Sequence, residues 1–244
     1  MPRTKIFLGN YEETIKRYKA DLIFTSPPYN IGSESPAKTG KRNKKKGTYD
    51  PKSYRGIREY ADNLPEDEYQ KQQVDFLRWC ARHLKPGGTV VYNHKPRRKN
   101  LKMIHPMSWI SKVKQLTLME EIIWDRGSTH NHSNRLMHPI TERLYVLRLT
   151  NDKYTFLNTS ELDYRSDVWR LGRAPVNGHN APFPEELARN VIKAWTKPGD
   201  TVMDPYSGSG TTLFAALKED RNFVGSEILP EYHEKITEKL AKIP

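Results

Sequence analysis

Residues 199–228, GDTVMDPYSGSGTTLFAALKEDRNFVGSEI, constrain the fold more than any other stretch of the chain. An apolar run ends on Asp204, a Gly-x-Gly turn follows at Gly208 and Gly210, a helix-forming segment starts near Thr211, and a second apolar run ends on Glu227. Strand, turn, helix and strand in such close succession make one βαβ unit with parallel strands. Gly208 and Gly210 let the backbone approach a ligand closely, and the start of the helix offers free amide groups. Glu227 comes about 20 residues beyond Asp204, just after the second strand, where a carboxylate can take both hydroxyls of a ribose. The spacing reads as a nucleoside-cofactor site. DPYSGSGTT has no third glycine at the place the dinucleotide fingerprint requires, which disfavours a nicotinamide enzyme.

The rest of the chain extends the same alternation. TKIFLG (4–9), ADLIFT (20–25), TVVYNH, EEIIWDR and ERLYVLRL read as strands. NYEETIKRYK suits a short helix, and a longer one begins at Pro65, carries Leu77, Cys80, Ala81 and Leu84 on one face, and is stopped by Lys-Pro-Gly-Gly. A helix-like stretch lies near 105–115, and FPEELARNVIKAWT is amphipathic, with Pro184, Glu185 and Glu186 at its start. Residues 33–62 are polar and lysine-rich and read as a long mobile loop, and 150–180 read as irregular. The expectation is one α/β domain over 1–244, with a largely parallel sheet covered on both faces.

Lysine and arginine number 41 against 29 acidic residues, a formal charge of +12 that favours a polyanionic partner such as nucleic acid. The single cysteine, Cys80, excludes an internal disulfide. The N-terminal MPRTKIFLGN lacks an apolar signal core and no stretch approaches transmembrane length, so a soluble, cytoplasmic protein with no membrane partner is expected. Cys80 on its apolar helix face reads as core rather than nucleophile. His130, His132 and His138 in a polar loop read as solvated rather than as metal ligands, so no metal is expected. Trp124, Trp169 and Trp195 read as packing residues.

The turn TSPPYN at residues 25–30 and DPYSGSGTT at 204–212 together resemble the S-adenosylmethionine-dependent amino-methyltransferases of DNA. Their order, catalytic motif first and cofactor motif last, is similar to the permuted beta class. The resemblance extends through LKPGGTVVYN, EEIIWDRG, ERLYVLRL and HNAPFPEELARNVI, which is most of the chain outside 33–62 and 150–178. It implies a Rossmann-like methyltransferase fold with a seven-stranded sheet, S-adenosylmethionine as cofactor, double-stranded DNA as substrate, a cognate restriction endonuclease as possible partner, and a possible homodimer. It also implies that Asp204, Pro205, Tyr206, Gly208, Gly210, Thr211, Thr212 and Glu227 hold the cofactor, with Asn10 and Phe183 adding to that site. Two positions depart from the family pattern: Asn10 stands where Gly9 is usually followed by Asp, and Asn180 stands where HNAPFP usually has proline.

By the same resemblance Ser26, Pro27, Pro28 and Tyr29 hold the target base, and the chemistry explains the residue types. An exocyclic amine is a poor nucleophile because its lone pair is delocalised into the ring. Two acceptors on its hydrogens localise that pair: the Ser26 hydroxyl oxygen and the Pro27 carbonyl, held stiffly by prolines with fixed φ and no N–H. Tyr29 offers a flat face for a flipped base, worth roughly 1–3 kcal/mol of stacking. Taken alone, Ser-Pro-Pro-Tyr after a strand reads as well as a rigid turn with a filler tyrosine; the second motif tips the balance. The strands bearing Asp204 and Ser26 are expected to lie side by side. Serine in the first motif position favours cytosine N4, with adenine N6 as the alternative and an inert basic nucleic-acid-binding protein as the alternative of another class; an RNA target stays open. Nucleic-acid contacts are expected from Lys38, Lys41, Arg42, Lys44, Lys45 and Lys46, read as a clamp on the DNA backbone, and from Lys95, Arg97 and Arg98. Target recognition is expected within 130–180 and the loop 33–62.

Overall fold

A computed structural model of the chain describes residues 2–30, 63–99, 102–129, 136–152, 158, 162–172 and 183–243. In chain order the elements are β1 (Thr4–Leu8), α1 (Tyr11–Thr14), β2 (Ala20–Thr25), α2 (Glu66–His83), β3 (Leu84–His94), β4 (Arg97–Lys99), β5 (Lys102–Ile104), α3 (Met107–Ile110), β6 (Leu116–Asp125), β7 (Thr141–Leu149), β8 (Val168–Arg170), α4 (Glu185–Trp195), β9 (Thr201–Asp204), α5 (Thr211–Lys218), β10 (Asn222–Glu227) and α6 (Pro230–Leu240). Among the described residues ten strands form one eight-stranded sheet, ordered β1-β10-β9-β2-β3-β7-β6-β8, and the small hairpin β4–β5.

From β1 to β3 every pairing is parallel, and β7 then runs antiparallel to both β3 and β6. The central strands are apolar on both sides, as strands covered by helices on two faces must be. One face packs Phe24, Val91 and Val202 with α4 and with Leu213 of α5, and the other packs Ile23, Val90, Met203 and Tyr145 with α2 and α3. Cys80 is buried in the second layer, where burial pushes its thiol pKa up. Trp124, Trp169 and Trp195 are buried in the first, and the indole N–H of Trp124 donates to the Leu171 carbonyl at 2.8 Å.

Three expectations change. Among the described residues the sheet has eight strands rather than seven, because Val168–Arg170 inside the stretch read as irregular adds an edge strand to β6. Lys-Pro-Gly-Gly does not simply stop α2: β3 already begins at Leu84, whose pairing with Ala20 carries the segment into the sheet. A Cβ on Gly88 would lie 2.9 Å from the Lys85 carbonyl and 3.0 Å from that of Asp21, so glycine here permits close approach to β2. The helix read over 105–115 is the four-residue α3, which ends at Ile110.

Candidate active site

The order reversal of an open α/β sheet leaves a crevice at the carboxyl ends of its strands. Here β2 and β9 are neighbours, in register Leu22 to Val202 and Ile23 to Met203, so the turns that follow them open side by side. The expected juxtaposition of Ser26 and Asp204 is therefore present. A cavity of about 540 Å³ lies between the turns, lined by Ser26, Pro28, Asn10, Phe183, Asp204, Pro205, Tyr206, Gly208, Thr211 and Glu227 among others.

On the β9 side the turn is organised by two buried carboxylates. Asp204 accepts from the Thr25 hydroxyl at 2.8 Å, the Thr212 hydroxyl at 2.7 Å and the Tyr206 amide at 3.1 Å. Burial still outweighs these donors and pushes its carboxyl up to about 6. Glu227 accepts from the Gly208 amide at 2.7 Å and the Leu229 amide at 2.9 Å, and burial pushes it up to about 7. Gly210 precedes α5 with φ +79, and a Cβ there would lie 3.0 Å from Ile236 Cγ1. Both the left-handed backbone and the tight packing require glycine. Asn10 caps α1 by accepting from the Glu12 amide at 2.9 Å, so its side-chain oxygen is engaged in the helix start while the residue lines the cavity. Thr212 and Gly210 support the turn from below, through Asp204 and through backbone conformation.

On the β2 side the turn is held by side chains far away in sequence. The Tyr69 hydroxyl donates to the Pro28 carbonyl at 2.9 Å and accepts from His94 Nε2 at 2.7 Å. Burial pushes the imidazole down to about 3, and a neutral ring with its proton on Nε2 matches that donation. Asn30 adopts φ 54 and exchanges two hydrogen bonds with the Leu64 backbone, at 2.7 and 3.0 Å. The Tyr29 hydroxyl lies 2.9 Å from Ser26 Oγ, 2.9 Å from Asn93 Oδ1 and 3.1 Å from Glu142 Oε2. Its ring sits 4.4 Å from the His94 ring, and Lys95 Nζ lies 5.3 Å from its centroid.

The sequence reading missed the wall formed by α2, where Glu68, Tyr69, Gln72, Gln73, Asp75 and Phe76 line the cavity. Asn93 and Glu142, the partners of Tyr29, carried no local signal. Of the expected nucleic-acid contacts, Lys38, Lys41, Arg42, Lys44, Lys45 and Lys46 lie outside the described residues, as do His130 and His132. Arg97 is corrected: it is buried, pairs with both oxygens of Glu66 at 2.7 and 3.0 Å, and packs over the rings of Tyr69 and Trp109. It clamps the start of α2 to the hairpin. Arg98, its exposed neighbour, donates to the Met137 carbonyl at 3.0 Å. Among the described residues no helix is long and apolar enough to cross a membrane.

A family model described as DNA methylase, of the N6/N4 methyltransferase type, matches residues 20–239. The Type II methyltransferase M.HpaI of Haemophilus parainfluenzae is 30% identical over an alignment of 252 positions that covers 96% of this chain and 70% of that protein. The chain spans under half the length of several other Type II methyltransferases that it matches. Among solved structures, the PvuII DNA methyltransferase (cytosine-N4-specific) superposes with TM-score 0.72 at 19% identity, covering 96% of this chain and 85% of that one. The M1.HpyAVI–SAM complex superposes with TM-score 0.63 at 20% identity, covering 97% and 98%. At these identities both likenesses are of fold.

Proposed function

The chain belongs to the N6/N4 DNA methylase family, and on that premise we propose that it methylates the exocyclic N4 amine of a cytosine flipped out of double-stranded DNA, with S-adenosylmethionine as the donor. The observation that carries this reading is that Ser26 and the Gly-rich turn after Asp204 line one cavity from adjacent strands. The cytosine preference rests on serine at the first position of the catalytic turn.

The residues present fit the cofactor. A cavity of about 540 Å³ is in the usual range for a ligand of this size. Glu227, pushed up to about 7, is a carboxylate whose burial is only partly offset by the backbone amides of Gly208, Ile228 and Leu229, so ribose hydroxyls are the donors it lacks. S-adenosylmethionine supplies an electrophilic methyl on a sulfonium. Everything else in the reaction falls to this chain. Glu227 orients the ribose, and the glycine turn keeps side chains out of the cofactor's way. Ser26 Oγ and the Pro27 carbonyl take the two amine hydrogens and turn the nitrogen lone pair towards the methyl, while the prolines keep those acceptors from moving. Tyr29 supports the base from the floor of the turn. Lys95, just before the β4–β5 hairpin, and Arg98, on it, are the cations assigned to the flanking phosphates.

Incubating plasmid DNA with the protein and isotopically labelled S-adenosylmethionine, followed by nucleoside mass spectrometry, tests the proposal directly. N4-methylcytosine is the expected product. N6-methyladenine would keep the mechanism and reassign the base, and label in neither nucleoside would overturn the reading.

A further inference from the structure

Three oxygens surround the Tyr29 hydroxyl, and counting protons fixes the direction of each hydrogen bond. Asn93 Nδ2 donates to the Arg143 carbonyl at 3.1 Å, so the atom facing Tyr29 is the amide oxygen, which cannot donate. Glu142 is ion-paired with Arg126 at 3.0 Å, and Arg126 is itself held by the Pro139 and Ile140 carbonyls at 2.9 and 3.2 Å. A carboxylate in that setting is an acceptor. The single proton of Tyr29 therefore points at Asn93 and Glu142, and the hydroxyl of Ser26 is the group that donates to Tyr29 Oη, 2.9 Å away.

We propose, resting on the methyltransferase reading above, that Glu142, acting through Tyr29, is a positioning residue for Ser26: it commits the Ser26 proton to the protein side and so leaves the Ser26 lone pairs facing the substrate amine. A serine hydroxyl rotates freely and is as able to donate as to accept. A donor aimed at an amine nitrogen would tie up the lone pair that must attack, whereas an acceptor on its N–H frees that pair. The chain from Glu142 through Tyr29 decides between the two, and the buried negative charge at its far end polarises both hydroxyls in the same sense.

The same chain removes the surplus proton. Attack on the methyl forms the N–C bond, breaks the methyl–sulfur bond, whose electron pair stays on sulfur, and leaves one positive charge on the nitrogen. The N–H bond then breaks towards Ser26 Oγ, its electron pair remaining on nitrogen, as the Ser26 proton passes to Tyr29 Oη and the Tyr29 proton passes to Glu142. The balance closes with a neutral methylated amine and a neutral Glu142 carboxyl.

Tyr29→Phe separates this role from stacking, because it keeps the ring and removes only the hydroxyl. Single-turnover methylation of plasmid DNA at saturating cofactor should slow about 100-fold in Tyr29→Phe and in Glu142→Gln, the lower end of the usual worth of one positioned acid–base group. The Kd for S-adenosylmethionine and for DNA should stay within about twofold of wild type, a split that a merely structural role would not produce. The double variant should be no slower than the slower single one, because either change already cuts the chain. A wild-type rate in Tyr29→Phe overturns the proposal even if Glu142→Gln fails to fold, as does additive slowing in the double variant. Failure of the underlying reading looks different: the unaltered protein would then methylate no exocyclic amine.

Discussion

The turns after β2 and β9 lie side by side and are built from opposite chemistry. Residues 205–210 form a glycine turn, with Gly208 at φ 53 and Gly210 at φ +79, leading into the amide-rich start of α5. It is a turn without bulky side chains at its glycines, organised from beneath by Asp204 and Glu227, which take its Tyr206 and Gly208 amides. Residues 26–29 form a proline turn with two amides missing, a surface of acceptors whose backbone is fixed by the rings and by the Tyr69 bond to Pro28. On the proposed function, the first turn lets the cofactor approach the backbone closely and the second presents fixed acceptors to the amine. The turns also differ in where their supports come from. Asp204, Thr212 and Glu227 belong to one local βαβ unit, whereas Tyr29 depends on Glu142, 113 residues along the chain.

The largest expected effect comes from giving the glycine turn a side chain. Gly210→Val puts a branched residue into a left-handed backbone, at about 1–2 kcal/mol, and drives its Cβ into Ile236 and Phe214, 3.0 and 3.1 Å away. Isothermal titration should find S-adenosylmethionine binding weakened more than about 100-fold, together with a melting temperature several degrees lower at roughly 2–4 °C per kcal/mol for a chain of this size. Pro27→Ala, the matching disturbance of the proline turn, should leave cofactor affinity close to wild type. If both variants lose cofactor equally, the two turns do not divide the work.

Ser26→Ala comes next. Removing one preorganised acceptor from the amine should lower the single-turnover rate about 10²- to 10³-fold, by analogy with the loss of one oxyanion-hole group, while S-adenosylmethionine affinity stays within about twofold. Loss of cofactor affinity in this variant would move Ser26 to the other side of the comparison.

The same contrast explains what could be read from the sequence. The glycine turn was legible because its parts are local: Asp204, the glycines, Thr212 and Glu227 follow one another at spacings that a βαβ unit imposes. The residue types of the proline turn were legible too, and so was its place beside β9. Its supports were not. Tyr69, Asn93 and Glu142 come from α2, β3 and β7: the packing of α2 brings Tyr69 to Pro28, and the sheet order, with β7 running back along β3, brings Asn93 and Glu142 to Tyr29. Arg97 misled for a related reason. A run of Arg-Arg-Lys looks like a phosphate contact, yet alternation along β4 turns Arg97 inward onto Glu66 and leaves Arg98 outside.

Glu227→Gln should act only on the cofactor side. Exchanging a carboxylate for an amide at a ribose costs part of a charge-assisted pair, so the Kd for S-adenosylmethionine should rise about 10-fold with the rate at saturation nearly unchanged. The pH dependence carries a sign. Glu227 sits at about 7 in the folded protein without cofactor, and ribose hydroxyls favour its ionised form, so affinity should weaken as pH falls through 7, by up to about tenfold per unit. Glu227→Gln should flatten that slope. Stability of the cofactor-free protein should run the other way. Asp204 at about 6 and Glu227 at about 7 hold protons that the unfolded chain, titrating near 4, has already lost. Thermal stability should therefore fall as pH rises from about 4 to 7. A melting temperature that rises across this window would contradict the burial of both carboxylates.

The smallest effect is expected where the two turns are joined. The Thr25 hydroxyl, on the last residue of β2, donates to Asp204 at the end of β9, and among the described residues it is the side-chain hydrogen bond that ties the start of one turn to the start of the other. Thr25→Val keeps the shape and removes the donor, leaving one oxygen of a buried carboxylate with the Tyr206 amide alone. The cost should be about 1–3 kcal/mol of stability, read as a fall in melting temperature. No group that touches cofactor or base is lost, so neither function should collapse. Both should drift, with cofactor affinity and single-turnover rate each falling a few-fold and by similar factors, because the bond sets the spacing between the two turns, and in-line transfer is sensitive to that spacing. A change in affinity alone would mean that Thr25 serves only the glycine turn through Asp204, with the proline turn held entirely by Tyr69, Asn93 and Glu142. A change in rate alone would mean the reverse, and either result would replace a coupled pair of surfaces with two independent ones.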